Sequence, residues 1–430
     1  MHRSLFTAMF PGAARAGAAA LLMTTLAATA AGGQEDAPMG SMGAPLDLPM
    51  ARVGSGTAWQ PDTTPIFAHH VMAGDWMLMF HYSLSGGYDH QGGPRGDDDA
   101  FGLGWVMAMA SRDLLGGQLT LRAMLSPEPP LVGRSGYPLL LQSGEEVDGM
   151  PLHDRQHPHD LFMEVAASYA HALTPDLAFL VYVALSGEPA LGPVAFPHRS
   201  YALYDMLAAL GHHWEDSTHV SFGVVTAALY TRTLKLEGSW FNGREPDADR
   251  YDFDLRAPDS FAARVTVNPG AEWSLQASFG HLDSPEALEP EVSQDRFTAS
   301  VSYDVRLGAG RNLAATAVYG RDMPSSGPST NALLLEADAN LTRSVTVFGR
   351  AEWVEKTAAD LSVALDPEKV LSVGAMSLGA VYELQPILGV VPGLGVRGTV
   401  NLVGSDLEPF YGGRAPIGLV AFVEVHPVEM

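Results

Sequence analysis

Two histidine-rich stretches hold the residue types best able to do chemistry. Residues 152–160 read LHDRQHPHD, which sets His153, Asp154, His157, His159 and Asp160 close together. Residues 211–219 read GHHWEDSTH and add His212, His213 and His219 beside Glu215 and Asp216. The chain contains no cysteine, so a metal can be held only by His, Met, Asp or Glu. His157 and His159 would hold a divalent ion, with Asp154 or Asp160 completing or orienting the site. A divalent metal ion is therefore the one cofactor the sequence suggests. The spacing matches no zincin motif, and a second expectation stands beside the first: the histidines hydrogen-bond loop backbone and fix the loops as a cap.

Other constellations are weaker. Ser217 and His219 lie two residues apart, on one face of a strand, and an acyl hydrolase would need them in hydrogen-bond reach with an acid such as Asp216 or Asp160 behind. Ser and His share a face often by chance, so the chain is read as a non-enzyme with no catalytic residue assigned. Asp97, Asp98 and Asp99 follow Gly92-Gly93-Pro94-Arg95 and could hold calcium, although acids at a Gly-rich hairpin tip are ordinarily just solvated. Met39, Met42, Met50, Met72, His69 and His70 punctuate an N-terminal leader; thioether and imidazole suit soft or borderline metals such as copper.

The elements that must position these residues are strands. In residues 296–305, Phe297, Ala299, Val301, Tyr303 and Val305 alternate with Thr298, Ser300, Ser302 and Asp304; a helix would scatter these around its circumference, whereas a strand puts them on two faces. The same alternation recurs at 232–241, 260–268, 272–281, 329–341 and 393–403, in about sixteen segments between residue 74 and the C-terminus. Connections alternate between tight turns, as at Pro175, Thr231, Pro269-Gly270 and Leu341-Thr342, and long polar loops, as at 127–159, 187–217, 242–259, 282–294, 355–369 and 404–415. A soluble sandwich would load its polar faces with Lys and Glu. Here those faces carry Ser, Thr, Asn and Gln, with charges set singly among them: Arg122, Glu164, Lys235, Glu237, Arg264, Glu336, Asp338, Arg350, Glu352 and Arg397. The expected fold is all-β: a transmembrane antiparallel up-and-down β-barrel of about sixteen strands, with short periplasmic turns and long external loops. The ten charged residues would line its lumen, either as salt-bridged ladders or along a polar path. Tyr169, Tyr230, Trp240, Trp273, Tyr303, Tyr319 and Trp353, near strand ends, fit interfacial girdles.

Composition agrees. The 430 residues carry 25 Lys+Arg against 49 Asp+Glu, a formal charge of -24, which argues against nucleic acid as a partner. Nearly half the residues are apolar (47%), which excludes disorder. His2, Arg3 and Arg15 precede a short apolar run, residues 16–27, and a small-residue cleavage site, Ala28-Thr29-Ala30; the run is too short to span a bilayer and reads as a cleaved secretory signal. The expected organisation is a signal peptide at 1–31, a Gly/Met/Pro leader at 32–72 that serves as a plug or periplasmic tail, and a barrel at 73–430. The final strand ends in Met430 rather than the Phe common at the end of bacterial barrels.

Several stretches together resemble a family of uncharacterised bacterial outer-membrane β-barrel proteins: Gly74-Asp75-Trp76-Met77, residues 88–98 (YDHQGGPRGDD), 135–145, 154–164, 187–199 (GEPALGPVAFPHR), 212–226 and 242–247. More loosely, a Met/His leader ahead of a barrel is similar to copper-resistance outer-membrane proteins of the B type, although this leader is short and poor in repeated Met motifs. The resemblance implies an outer-membrane location and lipid as a partner. The functional expectation is a pore or channel for small solutes or ions, with a link to heavy-metal (copper) handling. The alternatives are an outer-membrane hydrolase using Ser217 and His219, and a structural barrel with a filled lumen.

Overall fold

The computed structural model describes residues 44–308 and 310–430; the expected signal peptide, together with Met39 and Met42, lies outside the described residues. Nineteen strands are present among the described residues. Three of them stand apart: β1 (His69–Ala73) and the hairpin of β5 (Tyr137–Val147) with β6 (Met150–Gln156). The remaining sixteen form the wall. In order these are β2 (Trp76–Gln91), β3 (Asp98–Leu114), β4 (Gly117–Leu125), β7 (Phe162–Thr174), β8 (Leu177–Gly187), β9 (Ser221–Tyr230), β10 (Leu234–Asn242), β11 (Ser260–Gly270), β12 (Trp273–Leu282), β13 (Gln294–Gly308), β14 (Arg311–Pro324), β15 (Thr330–Asn340), β16 (Val345–Thr357), β17 (Val370–Glu383), β18 (Val390–Val403) and β19 (Ile417–Pro427).

Each wall strand pairs antiparallel with its neighbours in sequence, and β19 returns to pair with β2, Gly418 opposite Gln91 through Val425 opposite Leu84. That last pairing closes the barrel. Closure leaves no open edge, which is what lets a β-sheet cross lipid that offers no water to unpaired N–H and C=O groups. β19 covers only the second half of one β2 edge. The first half is taken by β1, with His69 opposite Phe80 and Ala73 opposite Trp76, so a strand forms where the sequence suggests leader.

The strands sort their side chains inside out. Along β10 the pattern alternates strictly, with Leu236 53% and Trp240 58% exposed while Lys235 and Glu237 between them are buried. Leu335 and Leu378 are exposed on the outer face, next in sequence to buried Glu336 and Ser377. A soluble protein does not present continuous apolar faces outward and bury its charges; a barrel in lipid does. No described helix is long and apolar enough to cross a membrane.

The interior is filled by the chain itself, chiefly by two segments, with the β5–β6 hairpin beside them, where Lys356 Nζ on β16 donates to Ser143 Oγ (2.8 Å) and Gln142 Nε2 to Ala209 O (3.0 Å). Residues 44–68 run along the inner wall of β4 and β8–β12, near the tight-turn end. Lys235 Nζ donates to Thr57 O, Arg122 Nη2 to Gly56 O (2.6 Å), Asn268 Nδ2 to Gln60 O (2.8 Å) and Ser274 Oγ to Trp59 O (3.2 Å). The 188–220 connection between β8 and β9 folds inward rather than away and packs on the opposite wall. Its Trp214 donates from Nε1 to Thr330 Oγ1 (2.8 Å), and its backbone lies so close to β14 that a Cβ at Gly320 would come within 2.4 Å of Trp214 O. The two segments meet where Ala195 N donates to Ser55 Oγ (2.9 Å).

Candidate functional site

The ten charged residues picked out from the strand pattern are all buried. On one wall Arg122 pairs with Glu164 (3.0 Å), Lys235 with Glu237 (3.0 Å) and Arg264 with Glu237 (2.9 Å). On the other, Glu336 faces Arg350 across the β15–β16 register and pairs with it at 3.1 Å. The inserted segment supplies the remaining partners. Arg199 Nε donates to Glu336 (2.5 Å) and its Nη1 to Asp216 (3.0 Å), Arg397 pairs with Asp205 (3.1 Å), and Glu352 accepts from Leu210 N (2.5 Å). The lumen charges thus anchor the inserted chain as well as one another. The sequence carries no signal for Arg199 and Asp205 as partners, because their pairing depends on the loop turning inward.

Below the inserted segment lies a cavity of about 550 Å³ that reaches the tight-turn rim at Arg311 and Pro386. Its deeper wall includes Met79, Met107, His81, Trp105, His198 and Asp338. His198 lies against the Trp105 ring with centroids 4.6 Å apart, and its Nε2 is 3.3 Å from Met124 Sδ.

At the opposite end, under the long loops, five histidines converge: His157 and His159 from the stretch after β6, and His212, His213 and His219 from the inserted segment. They border a void of about 20 Å³, room for a single small species, together with Glu145, Asp160, Ser217, Glu245 and Arg250. One side-chain donor atom from each of His157, His212 and His213 lies within 4.8 Å of the others. In each of these three rings Nδ1 faces a carboxylate: Glu145 for His157 (3.2 Å), Asp216 for His212 (2.6 Å) and Glu245 for His213 (3.3 Å). His157 Nε2 and His213 Nε2 are buried without a hydrogen-bond partner. Burial, reinforced by nearby Arg250, keeps His157 well below the usual imidazole range; burial also lowers His212 to about 4, against the pull of Asp216. Both rings are therefore neutral, the form that ligates.

His159 and His219 are arranged differently. Their Nε2 atoms are 3.0 Å apart, His219 Nδ1 donates to Asp216 O (2.7 Å), and His159 Nδ1 sits 2.9 Å from Glu128 Oε2. Burial opposes charge on His159, but the Glu128 carboxylate outweighs it and raises the pKa. A protonated His159 donating to a neutral His219 satisfies both rings, so this pair is complete as it stands.

Other expected site residues fall elsewhere. Asp160 is in the wall of the void, held by Arg250 Nη1 at 3.1 Å. His153 and Asp154 are drawn away to Arg95, whose Nε donates to Asp154 Oδ2 (2.5 Å) and whose Nη2 is 2.7 Å from His153 Nδ1. They sit on β6, whose extended backbone carries them past the other histidines. Ser217 and His219 do not lie on a strand; they share a 3-10 turn, Ser217–His219, where the Ser217 hydroxyl accepts from Arg296 Nη1 (2.7 Å) and makes no contact with His219. Asp97 and Asp99 are engaged by Arg155 (2.6 and 3.2 Å) and Asp98 by His90, so each acid of the tip already has a partner within the chain. Glu245 and Arg250 are site residues that the sequence did not single out; a carboxylate near a His-rich stretch in another loop is the signal that points to Glu245.

No known family model matches the chain, and no curated protein matches it in sequence. Solved structures do match in fold. OmpF of Salmonella typhi, in complex with daunomycin, superposes with TM-score 0.51 at 11% identity, covering 83% of this chain and 99% of that one. The anion-selective porin from Comamonas acidovorans (TM-score 0.49, 12% identity, 82% and 99% covered) and OprB of Pseudomonas putida (TM-score 0.49, 11% identity, 81% and 94% covered) are also similar. The likeness to OmpF is one of fold: this chain is a closed sixteen-stranded antiparallel barrel.

Proposed function

We propose that the protein is an outer-membrane channel for small solutes or ions whose resting state is closed by its own residues 44–68 and 188–220. Sixteen strands enclose a bore wide enough for water and solutes unless something fills it. The observation that carries the reading is the way it is filled. The plugging segments are held at discrete charged anchors, such as Arg199 on Glu336 and Lys235 on Thr57 O, on an inner wall where buried charges sit beside apolar residues such as Phe348 and Phe422. A barrel whose only role is structural needs no such polar wall and is more stable with an apolar core, because buried ion pairs contribute little net stability. The Met and His lining of the 550 Å³ cavity supports soft metal cations, copper among them, as the ions concerned. The outer membrane, reached through a cleaved signal, is the location this reading requires.

Planar-bilayer recording tests it. The full chain is expected to show rare, brief openings, and a chain lacking residues 44–66 longer and more frequent ones, because only 188–220 then remains in the bore. Trp59→Ala, which loosens the leader from Tyr230 (ring centroids 5.9 Å apart) and from Lys235, should give an intermediate opening frequency. Silence from all three forms would favour the filled, structural barrel. That second reading rests on the same packed interior.

A further inference from the structure

The histidines under the long loops can be taken further than a hydrogen-bonded cap. A cap histidine engages both ring nitrogens in hydrogen bonds, as His159 and His219 do. His157 and His213 do not. Their Nδ1 atoms face Glu145 and Glu245, while each Nε2 ends in a buried space with no partner. An unpaired polar atom in such a place is costly unless something outside the chain satisfies it. The geometry says what that something is. Nδ1 facing a carboxylate fixes the tautomer that leaves Nε2 with a lone pair, and all three rings of the His157, His212 and His213 group are held this way. Carboxylate–histidine pairs of this kind orient and strengthen metal ligands. One ring nitrogen from each of the three lies within 4.8 Å of the others; metal–nitrogen bonds of about 2.0–2.1 Å place tetrahedral ligands about 3.3 Å apart, so binding draws the rings together. The neighbouring void of about 20 Å³ accepts an ion or water and nothing larger.

We propose that His157, His212 and His213 bind one divalent transition-metal ion through their Nε2 atoms, with Glu145, Asp216 and Glu245 as the carboxylates that position them. Three imidazoles without a thiolate select borderline ions, of the Zn²⁺, Ni²⁺ or Cu²⁺ kind, over calcium or magnesium. Asp160 Oδ2 and Glu245 Oε2, both buried and unpartnered, are oxygen donors at the same void for a fourth position. His157 comes from the 126–161 connection, His212 and His213 from the inserted segment, and Glu245 from the 243–259 connection. The ion therefore ties three long loops at one point, independently of whether the bore conducts.

The test uses the untagged full chain in detergent, stripped with chelator and titrated with Co²⁺, whose visible absorption reports nitrogen ligation. A single tight equivalent is expected. His213→Asn and His157→Asn should abolish it, and Glu245→Gln should retain the spectrum while weakening affinity 10–100-fold, the usual effect of removing an orienting carboxylate. His281→Asn, on β12 and paired with Asp295 away from the centre, should bind as the parent does. Retained β-sheet circular dichroism and the heat-dependent gel shift of a folded barrel certify each variant. Absence of binding in a folded parent, or undiminished binding in folded His213→Asn, overturns the proposal.

Discussion

Arg199→Met isolates the anchor that holds the inserted segment to the wall. Its guanidinium reaches Glu336 at 2.5 Å and Asp216 at 3.0 Å, and all three side chains are no more than 3% exposed. Removing one member of a buried ion pair costs about 3–5 kcal/mol when the other is left uncompensated. Neither acid is left without a partner here, because Glu336 keeps the Arg350 cation at 3.1 Å and Asp216 keeps hydrogen bonds from neutral His212 Nδ1 (2.6 Å) and Phe196 N (2.8 Å). Methionine also preserves most of the apolar stem. The loss should therefore fall below that range, at roughly 2–3 kcal/mol. With about 1.4 kcal/mol to each factor of ten, the closed-to-released equilibrium of residues 188–220 shifts by roughly 30–150-fold. Hydrogen exchange on detergent-solubilised protein reads this directly, as an equal loss of protection at amides across 188–220 with the wall strands unchanged. Arg232→Met is the control: its pair with Asp176 lies at an exposed turn and contributes at most about 1 kcal/mol. Unchanged protection across 188–220 in Arg199→Met would refute the view that lumen charges anchor the segment.

Other expectations follow from the same structure. Leu335→Arg, on the outward face in the middle of β15, should destabilise the barrel by about 2–4 kcal/mol in lipid vesicles, measured by denaturant-driven unfolding. Gly144→Ala should loosen the histidine centre. Gly144 has φ +115°, and a Cβ there would lie 2.3 Å from His213 Nε2; the readout is weakened Co²⁺ binding by a folded barrel. Ser217→Ala should remove one hydrogen bond to Arg296, worth about 1 kcal/mol, and change no ester-hydrolysis rate. Turnover that depends on Ser217 would revive a catalytic reading.

The wall was legible in the sequence because the physics that forms it is local. Period-two alternation, as along 232–241 and 329–341, sets both the strand and the face on which Lys235 or Glu336 must lie, since lipid and lumen impose opposite demands on neighbouring residues. The interior was legible only in part. Glu336 was placed inward by its neighbours on β15, but its second partner, Arg199, sits 137 positions away on a segment whose inward turn no local pattern announces. The same limit split the histidines. His153 and His157 lie four residues apart in a single run, yet β6 carries His153 out to Arg95 while His157 turns toward His212 and His213. The strand His69–Ala73 was missed for a different reason. It fills the part of the β2 edge that β19 leaves bare, and that vacancy depends on a closing register between the two ends of the chain.

The most direct test of a polar bore sealed by the chain's own segments uses the absence of cysteine. Thr266→Cys introduces a lone thiol at an inward position of β11 that is 1% exposed, opposite Lys235 and beside the leader. Reaction with a membrane-impermeant thiol reagent, measured on protein in vesicles, should be negligible in the full chain and rapid once residues 44–66 are removed. Rapid labelling of the full chain, or protection that persists without the leader, would contradict the account.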